Sequence, residues 1–250
     1  MTNPVRIIVN ADDLGISQQV NQAIFRLIAA RQITSATVMA NGPAINHALL
    51  LAKQFPAGRF GVHLNISEFQ PLYASSASLL NSSGVMSRRH IEAASPTPLF
   101  LRTTYLEFCS QIESLLNRGL RLTHIDSHHH VHTLPKLFPV LKAVQKRYGI
   151  RVVRCTRNIY AHDHPLSLFF RLKKGAFNAA LRSIYRTQTT DAFTDLLTLV
   201  AITNQTNRFR SIEAMVHPGA LNHEVETALL QSDWLSRLPF PATLTDFQDL

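Results

Sequence analysis

Val5-Arg6-Ile7-Ile8-Val9-Asn10-Ala11-Asp12-Asp13-Leu14-Gly15 opens the chain with a short apolar, β-branched run that ends in a polar cluster. Such a run predicts a buried strand over Val5–Ala11, with two carboxylates at its carboxyl end. The next stretch, Ser17–Ala30, places Val20, Ile24, Leu27 and Ile28 on one helical face, with Ser17 as the expected N-cap. A strand feeding directly into an amphipathic helix is the first unit of a parallel α/β architecture.

The pattern repeats along the chain. Strands are expected at Thr34–Ala40, Arg59–Asn65, Leu122–Asp126, Arg151–Cys155 and Ser211–Val216, the last clear strand, before His217-Pro218-Gly219. Helices are expected at Ile45–Phe55, Leu99–Arg118, Pro135–Tyr148, Leu166–Arg186 and about Ala192–Ile202. Residues 66–98, rich in Ser, Asn, Gly and Pro, read as a long irregular excursion of the kind that serves as a lid or binding loop. The alternation argues for a parallel sheet or a (β/α) barrel. With no linker, repeat or low-complexity tract, residues 1–250 read as one domain.

Four of these strands run into residues able to do chemistry. They are Asp12-Asp13, His63-Leu64-Asn65, the run His124-Ile125-Asp126-Ser127-His128-His129-His130-Val131-His132, and His217-Pro218-Gly219. Parallel sheets and barrels gather their active sites at the carboxyl ends of strands, so four distant segments can meet in one pocket. Adjacent Asp12 and Asp13 would point opposite ways on an extended backbone, but a turn at the strand end lets both reach one site. One could then bind a metal while the other accepts a proton; equally, an Asp-Asp pair can simply favour a helix N-terminus. His63 taken alone would be an ordinary hydrogen-bonded core residue. Four histidines within residues 128–132 are far more telling, since imidazole is the common ligand for zinc and its neighbours. Together with His63 and an Asp they suggest two imidazoles and one carboxylate, leaving positions open for water and substrate.

Composition narrows the setting. The 250-residue chain is 46% hydrophobic and 16% charged, and no apolar run reaches the length of a membrane span. The N-terminus has no signal-peptide pattern, and Cys109 and Cys155 are too few for a disulfide framework, so a reducing cytoplasm is the expected compartment. The net charge of +9 is concentrated: Lys136–Arg186 holds twelve Lys/Arg against the single acid Asp163. Clustered positive charge suits an anionic partner such as phosphate, a lipid head group or nucleic acid, or it is a solvated basic surface.

Val9-Asn10-Ala11-Asp12-Asp13-Leu14-Gly15, Gly61-Val62-His63-Leu64-Asn65, Thr123–His132, Met215-Val216-His217-Pro218-Gly219 and the closing Thr245–Leu250 together resemble the YdjC-like family of carbohydrate deacetylases, in the family's order and over nearly the whole chain. The resemblance implies an irregular, TIM-like (β/α) barrel related to that of the polysaccharide deacetylases. It implies one divalent metal ion, zinc or magnesium, on Asp13, His63 and His128, and hydrolysis of the acetamide of an N-acetylated sugar, on an oligosaccharide or a glycolipid. By analogy with the wider superfamily, Asp12 is the expected general base and His217 the general acid. Polysaccharide deacetylases draw both histidines from one His-x-x-x-His stretch, which His128 and His132 could mimic; the intact Gly61–Asn65 motif favours His63 instead. Asp126, His129, His130 and His132 are then expected to support the ligands or touch substrate, and Arg154 to orient Asp12 or contact substrate.

Two rival readings are a metal-dependent phosphoesterase and a basic nucleic-acid-binding protein with a vestigial site. Two-metal phosphoesterases need more bridging acids than these strand ends offer. No nucleic-acid-binding motif is evident, so no nucleic-acid partner is expected. The helix 166–186 carries Leu166, Phe169, Phe170, Phe177, Leu181 and Ile184 on an expected apolar stripe, with Arg171, Lys174, Arg182 and Arg186 largely outside it. That pattern suits a peripheral contact with an anionic inner-membrane surface, an ordinary barrel helix, or a homodimer contact.

Overall fold

The computed structural model describes residues 3–56, 59–160, 167–201 and 209–250. Its elements are β1 (Val5–Leu14), α1 (Gln18–Ala29), β2 (Ser35–Val38), α2 (Ile45–Ala52), β3 (Phe60–Leu64), α3 (Arg88–Ala93), α4 (Pro98–Asn117), β4 (Leu122–Ser127), α5 (Phe138–Tyr148), β5 (Val152–Val153), α6 (Leu168–Ser183), β6 (Ala192–Asp195), α7 (Leu196–Ala201), β7 (Ser211–Val216), α8 (Glu224–Leu230) and β8 (Ala242–Leu244). The strand order is β5-β4-β3-β2-β1-β7-β6, with β8 on β1, and these pairings are parallel. Between β5 and β6 the circuit is completed irregularly. The Phe193 N–H donates to the Arg157 carbonyl at 3.0 Å, and the Ile159 N–H donates to the Phe193 carbonyl at 2.9 Å. The result is the irregular TIM-like barrel expected from the sequence.

Ser17 caps α1 as expected, its Oγ accepting from the Val20 N–H at 3.1 Å. Such a cap contributes about 1 kcal/mol. The buried face of α1, including Val20, Ile24, Phe25 and Leu27, packs into the layer between helices and barrel. Inside the barrel the side chains are of two kinds. Ile8, Val152 and Phe247 form a small apolar cluster, and the Phe247 ring stacks on His124 at 3.9 Å between centroids. Towards the other end lie Asn10, Asp12, Thr37, His63, His124, Asp126, Arg154 and Glu213, all buried.

Three expectations are corrected. The stretch from Ala192 was read as helix, but Ala192–Asp195 is β6, and α7 occupies Leu196–Ala201; Ile202 lies outside the described residues. Ser211–Val216 is not the last strand: β8 pairs with Val5–Ile7 on the edge that β2, joined at Asn10–Leu14, leaves free. The apolar stripe of the long basic helix also divides. Leu181 is buried and Phe177 partly so, whereas Phe169 is 77% exposed and Ile184 lies past the helix end at 47%. Leu166 lies outside the described residues.

Candidate active site

The carboxyl end of β1 departs from regular pairing where chemistry begins. Register with β2 shifts between Ala11 and Leu14, and Asp13 takes the left-handed conformation, with φ of 65°. The irregularity turns both carboxylates toward the barrel mouth, which a regular strand would not do. After β4, the 3₁₀ turn His128–Thr133 holds His129 and His130 in the same left-handed region, with φ of 49° and 55°. Two consecutive left-handed residues separate the histidines instead of stacking them on one face.

Asp13 stands at the centre. Its Oδ1 lies 3.1 Å from His63 Nε2 and 2.8 Å from His128 Nδ1. These three residues can each offer one ligand atom within 4.8 Å of the others, so the group is able to hold a metal ion. The second nitrogen of each ring faces another carboxylate: His63 Nδ1 meets Asp126 Oδ1 at 2.7 Å, and His128 Nε2 meets Glu68 Oε2 at 2.8 Å. Burial disfavours the charged form of His63, but Asp126, with help from Asp13 and Asp12, outweighs it and holds the imidazole well above its ordinary range. Asp13 is likewise buried, yet its two histidine partners keep it well below the usual carboxylate range.

Asp12 belongs to a different network. Arg154 grips it bidentately, Nη1 to Oδ2 at 2.7 Å and Nη2 to Oδ1 at 2.6 Å, and Asn10 Nδ2 donates to Oδ1 at 2.9 Å. The same guanidinium reaches Asp126 Oδ2 at 2.9 Å and Glu213 Oε1 at 2.7 Å. One buried cation therefore faces three buried carboxylates. Burial raises Asp12, but Arg154 overrides it and holds the carboxyl well below the ordinary range. Glu213 is the group that yields: burial pushes it up to about 7, and its Oε2 has no partner.

His217 follows β7, with Nδ1 buried and unpartnered. Burial lowers its imidazole, while Asp12 and Asp13 favour the protonated form. Its ring lies 4.8 Å from that of His223, and Glu226 accepts its backbone N–H. The remaining histidines separate. The His129 ring lies tilted at 43° against that of His128, 3.9 Å between centroids, and places Nδ1 3.0 Å from Ser67 Oγ. His130 turns edge-on to Phe193, and burial, with Arg154 nearby, pushes it down to about 3. His132 is not paired with His128 as the polysaccharide-deacetylase pattern would require: its Nδ1 meets Ser127 Oγ and its Nε2 the Arg154 carbonyl.

The sequence reading missed Glu68, Glu213 and Thr37. Glu213 carried a signal, being a lone acid in the apolar strand Ser211-Ile212-Glu213-Ala214-Met215-Val216. Glu68 carried none, because it reaches His128 from the irregular excursion. Asn65 sets that start: its Oδ1 accepts from the N–H groups of Ser67 at 2.9 Å and Glu68 at 3.1 Å. Thr37 donates to Asp126 Oδ2 at 2.9 Å, fixing the carboxylate that faces His63.

A parallel barrel with an Asp–His–His cluster at the carboxyl ends of its strands defines an α/β protein with a candidate metal centre. The chain belongs to the YdjC-like protein family, whose model matches residues 6–238. It is similar to a carbohydrate deacetylase of Geobacillus stearothermophilus, 42% identical over 168 residues, covering 67% of this chain and 66% of that protein. A carbohydrate deacetylase of Vibrio cholerae is 37% identical over 148 residues, covering 58% and 57%. A chitooligosaccharide deacetylase of Escherichia fergusonii is 31% identical over 221 residues, covering 88% and 83%. The matched stretch thus spans less than two thirds of the first two relatives and most of the third. The crystal structure of an Enterococcus faecalis V583 protein, provisionally assigned to cellobiose-phosphate cleavage, superposes with a TM-score of 0.78 over 99% of both chains. At 21% identity, that likeness establishes the fold.

Proposed function

We propose that this protein is a divalent-metal-dependent hydrolase that removes the acetyl group from an N-acetylated sugar. The observation that carries the reading is the arrangement around Asp13. Two imidazoles turn one nitrogen each to its Oδ1 and give the other to Asp126 or Glu68. Metal-ligating histidines characteristically place their second nitrogen against a carboxylate in this way, which fixes tautomer and ring orientation. The donor set, one oxygen and two nitrogens, suits zinc more than magnesium. The names of the three relatives supply the substrate class.

In this reading Asp13, His63 and His128 would hold the ion. When bound, a divalent ion acidifies a water and polarises the carbonyl to be attacked. Asp12 takes the proton as water attacks the acetamide carbon. The two Arg154 bonds fix its carboxylate in place and also weaken it as a base, so its contribution is chiefly that of a positioned acceptor. His217 delivers a proton to the departing amine; burial lowers its imidazole on balance, and Asp12 and Asp13 offset that only in part. His132 and Ser127 support the turn that presents His128, and His129 lies where a substrate could touch its half-exposed ring.

A two-metal phosphoesterase fits less well. The carboxylates Asp12 and Asp126, which would bridge a second ion, are already engaged by Arg154. Incubating zinc- or magnesium-loaded enzyme with N-acetylated mono- and oligosaccharides, and assaying free acetate, tests the proposal. Stoichiometric acetate and free amine support it; release of inorganic phosphate from phosphomonoesters, without acetate from any acetamido sugar, overturns it.

A further inference from the structure

Helix α6 has two faces of different character. One face, with Phe170, Lys174 and Phe177, lines a cavity of about 270 Å³ whose wall also includes His130, Arg154 and Phe193. The other face is turned outward, and its first two turns are apolar: Leu168 is 71% exposed, Phe169 77% and Leu172 64%. At 100° per residue, Leu168, Phe169, Leu172, Ala176 and Ala179 fall within one sector of roughly 100°. Arg171 and Arg182 flank that sector on one side and Lys173 on the other. Three large apolar side chains in two turns, open to water, are more than the scattered exposure usual on a protein surface.

Charge selects the occupant. From Ser167 to Thr190 the sequence has five basic residues, Arg171, Lys173, Lys174, Arg182 and Arg186, and no acid. Among the described residues, no carboxylate pairs with any of them. Lys174 bonds to Asn158 and the Tyr160 hydroxyl, and Arg182 to Thr189 and the Thr190 carbonyl. A second copy docked through the same face would set this positive charge against itself, and an isologous contact has no way around that. An anionic surface satisfies both the apolar residues and the charge, because Leu and Phe side chains enter the interface while Arg and Lys reach head groups. No helix among the described residues is long and apolar enough to cross a membrane, so the contact is one of lying on the surface.

We propose that the outward face of the first half of α6 docks the protein on an anionic lipid bilayer. Binding to lipid is measured without turnover and does not depend on deacetylase activity. Sedimentation of the full chain with vesicles of phosphatidylcholine, alone or mixed equally with phosphatidylglycerol, provides the test. Binding is expected to the mixed vesicles only, and to weaken as salt rises. The triple variant Leu168→Ser, Phe169→Ser, Leu172→Ser, altered only at exposed positions, is expected to lower partitioning at least about ten-fold. Arg171→Gln, with no described bonding partner to lose, is expected to lower it about five-fold. Thermal melting of each variant confirms that it is folded. Absence of binding to the mixed vesicles at low salt overturns the proposal. So does binding that both variants leave unchanged, or a dimer in sedimentation velocity that the triple variant splits.

Discussion

Glu213 shows how a single buried side chain registers in a measurable property. Its folded pKa, about 7, lies above the ordinary 4.5 because burial penalises the charge more than Arg154 repays it. Between those values the folded state keeps a proton that the unfolded chain has released. The unfolded state then binds fewer protons, and stability falls as pH rises from about 4.5 to 7. Glu213→Gln keeps an oxygen for Arg154 but cannot ionise. Denaturant melts across that pH range should therefore show a falling limb that is shallower in the variant, where only Glu226, which burial also pushes up to about 7, still contributes; parallel profiles would refute the raised pKa of Glu213. The proposed acid and base are separable by leaving group. Asp12→Asn and His217→Ala should each lower the rate on an acetamido sugar by about 10²–10⁴-fold. On an activated aryl acetate, whose leaving group needs no proton, only the Asp12 variant should remain impaired. Equal losses for His217→Ala on both substrates would remove it from the role of acid. At this scale most of the candidate site was legible, since Asp12, Asp13, His63, His128 and Arg154 converge. Glu68 was not, because its place depends on the Asn65 turn and on no periodic pattern.

At the scale of elements, hydrophobic period found the long strands and helices and failed where an element was short or mixed. Ala192–Asp195 continues into an apolar helix without punctuation, so a 2-residue period over four residues could not be told from the 3.6-residue period that follows. β8 has three residues, none of them buried, and exists because β1 has a free edge to offer. β3 shows the reverse, where one residue decides a packing relation. A Cβ on Gly61 would lie 2.5 Å from the His124 ring, which Phe247 holds from the far side. Gly61→Ala should cost about 1–3 kcal/mol by overpacking. Chemical denaturation checks it, and the companion change His124→Ala should relieve the clash. On α5, Lys142 Nζ donates to the carbonyls of Leu181 and Ile184 and so secures the end of α6. Lys142→Met removes both bonds, leaving Ile184 only its bond from Thr187 Oγ1, and should destabilise by about 1–3 kcal/mol, read from the same denaturation curves.

Across the whole molecule, the barrel divides its interior between two tasks. The end filled by Ile8, Val152 and Phe247 is apolar and contributes stability; the end with Arg154, three carboxylates and His63 does not. Buried ion networks rarely stabilise a fold, so this end reads as function maintained at a cost in stability. The sequence placed these charged residues at strand ends, but nothing in it indicated that Arg154 would serve Asp12, Asp126 and Glu213 together. That sharing depends on barrel closure. The central claim is that Asp13, His63 and His128 hold one divalent ion, and metal content per folded chain tests it most directly. After zinc loading and gel filtration, the wild type and His132→Ala should each retain about one ion per chain, as a site with one set of ligands requires. Asp13→Asn, His63→Ala and His128→Ala should each retain almost none while melting cooperatively. Full zinc occupancy in all three variants would contradict the account.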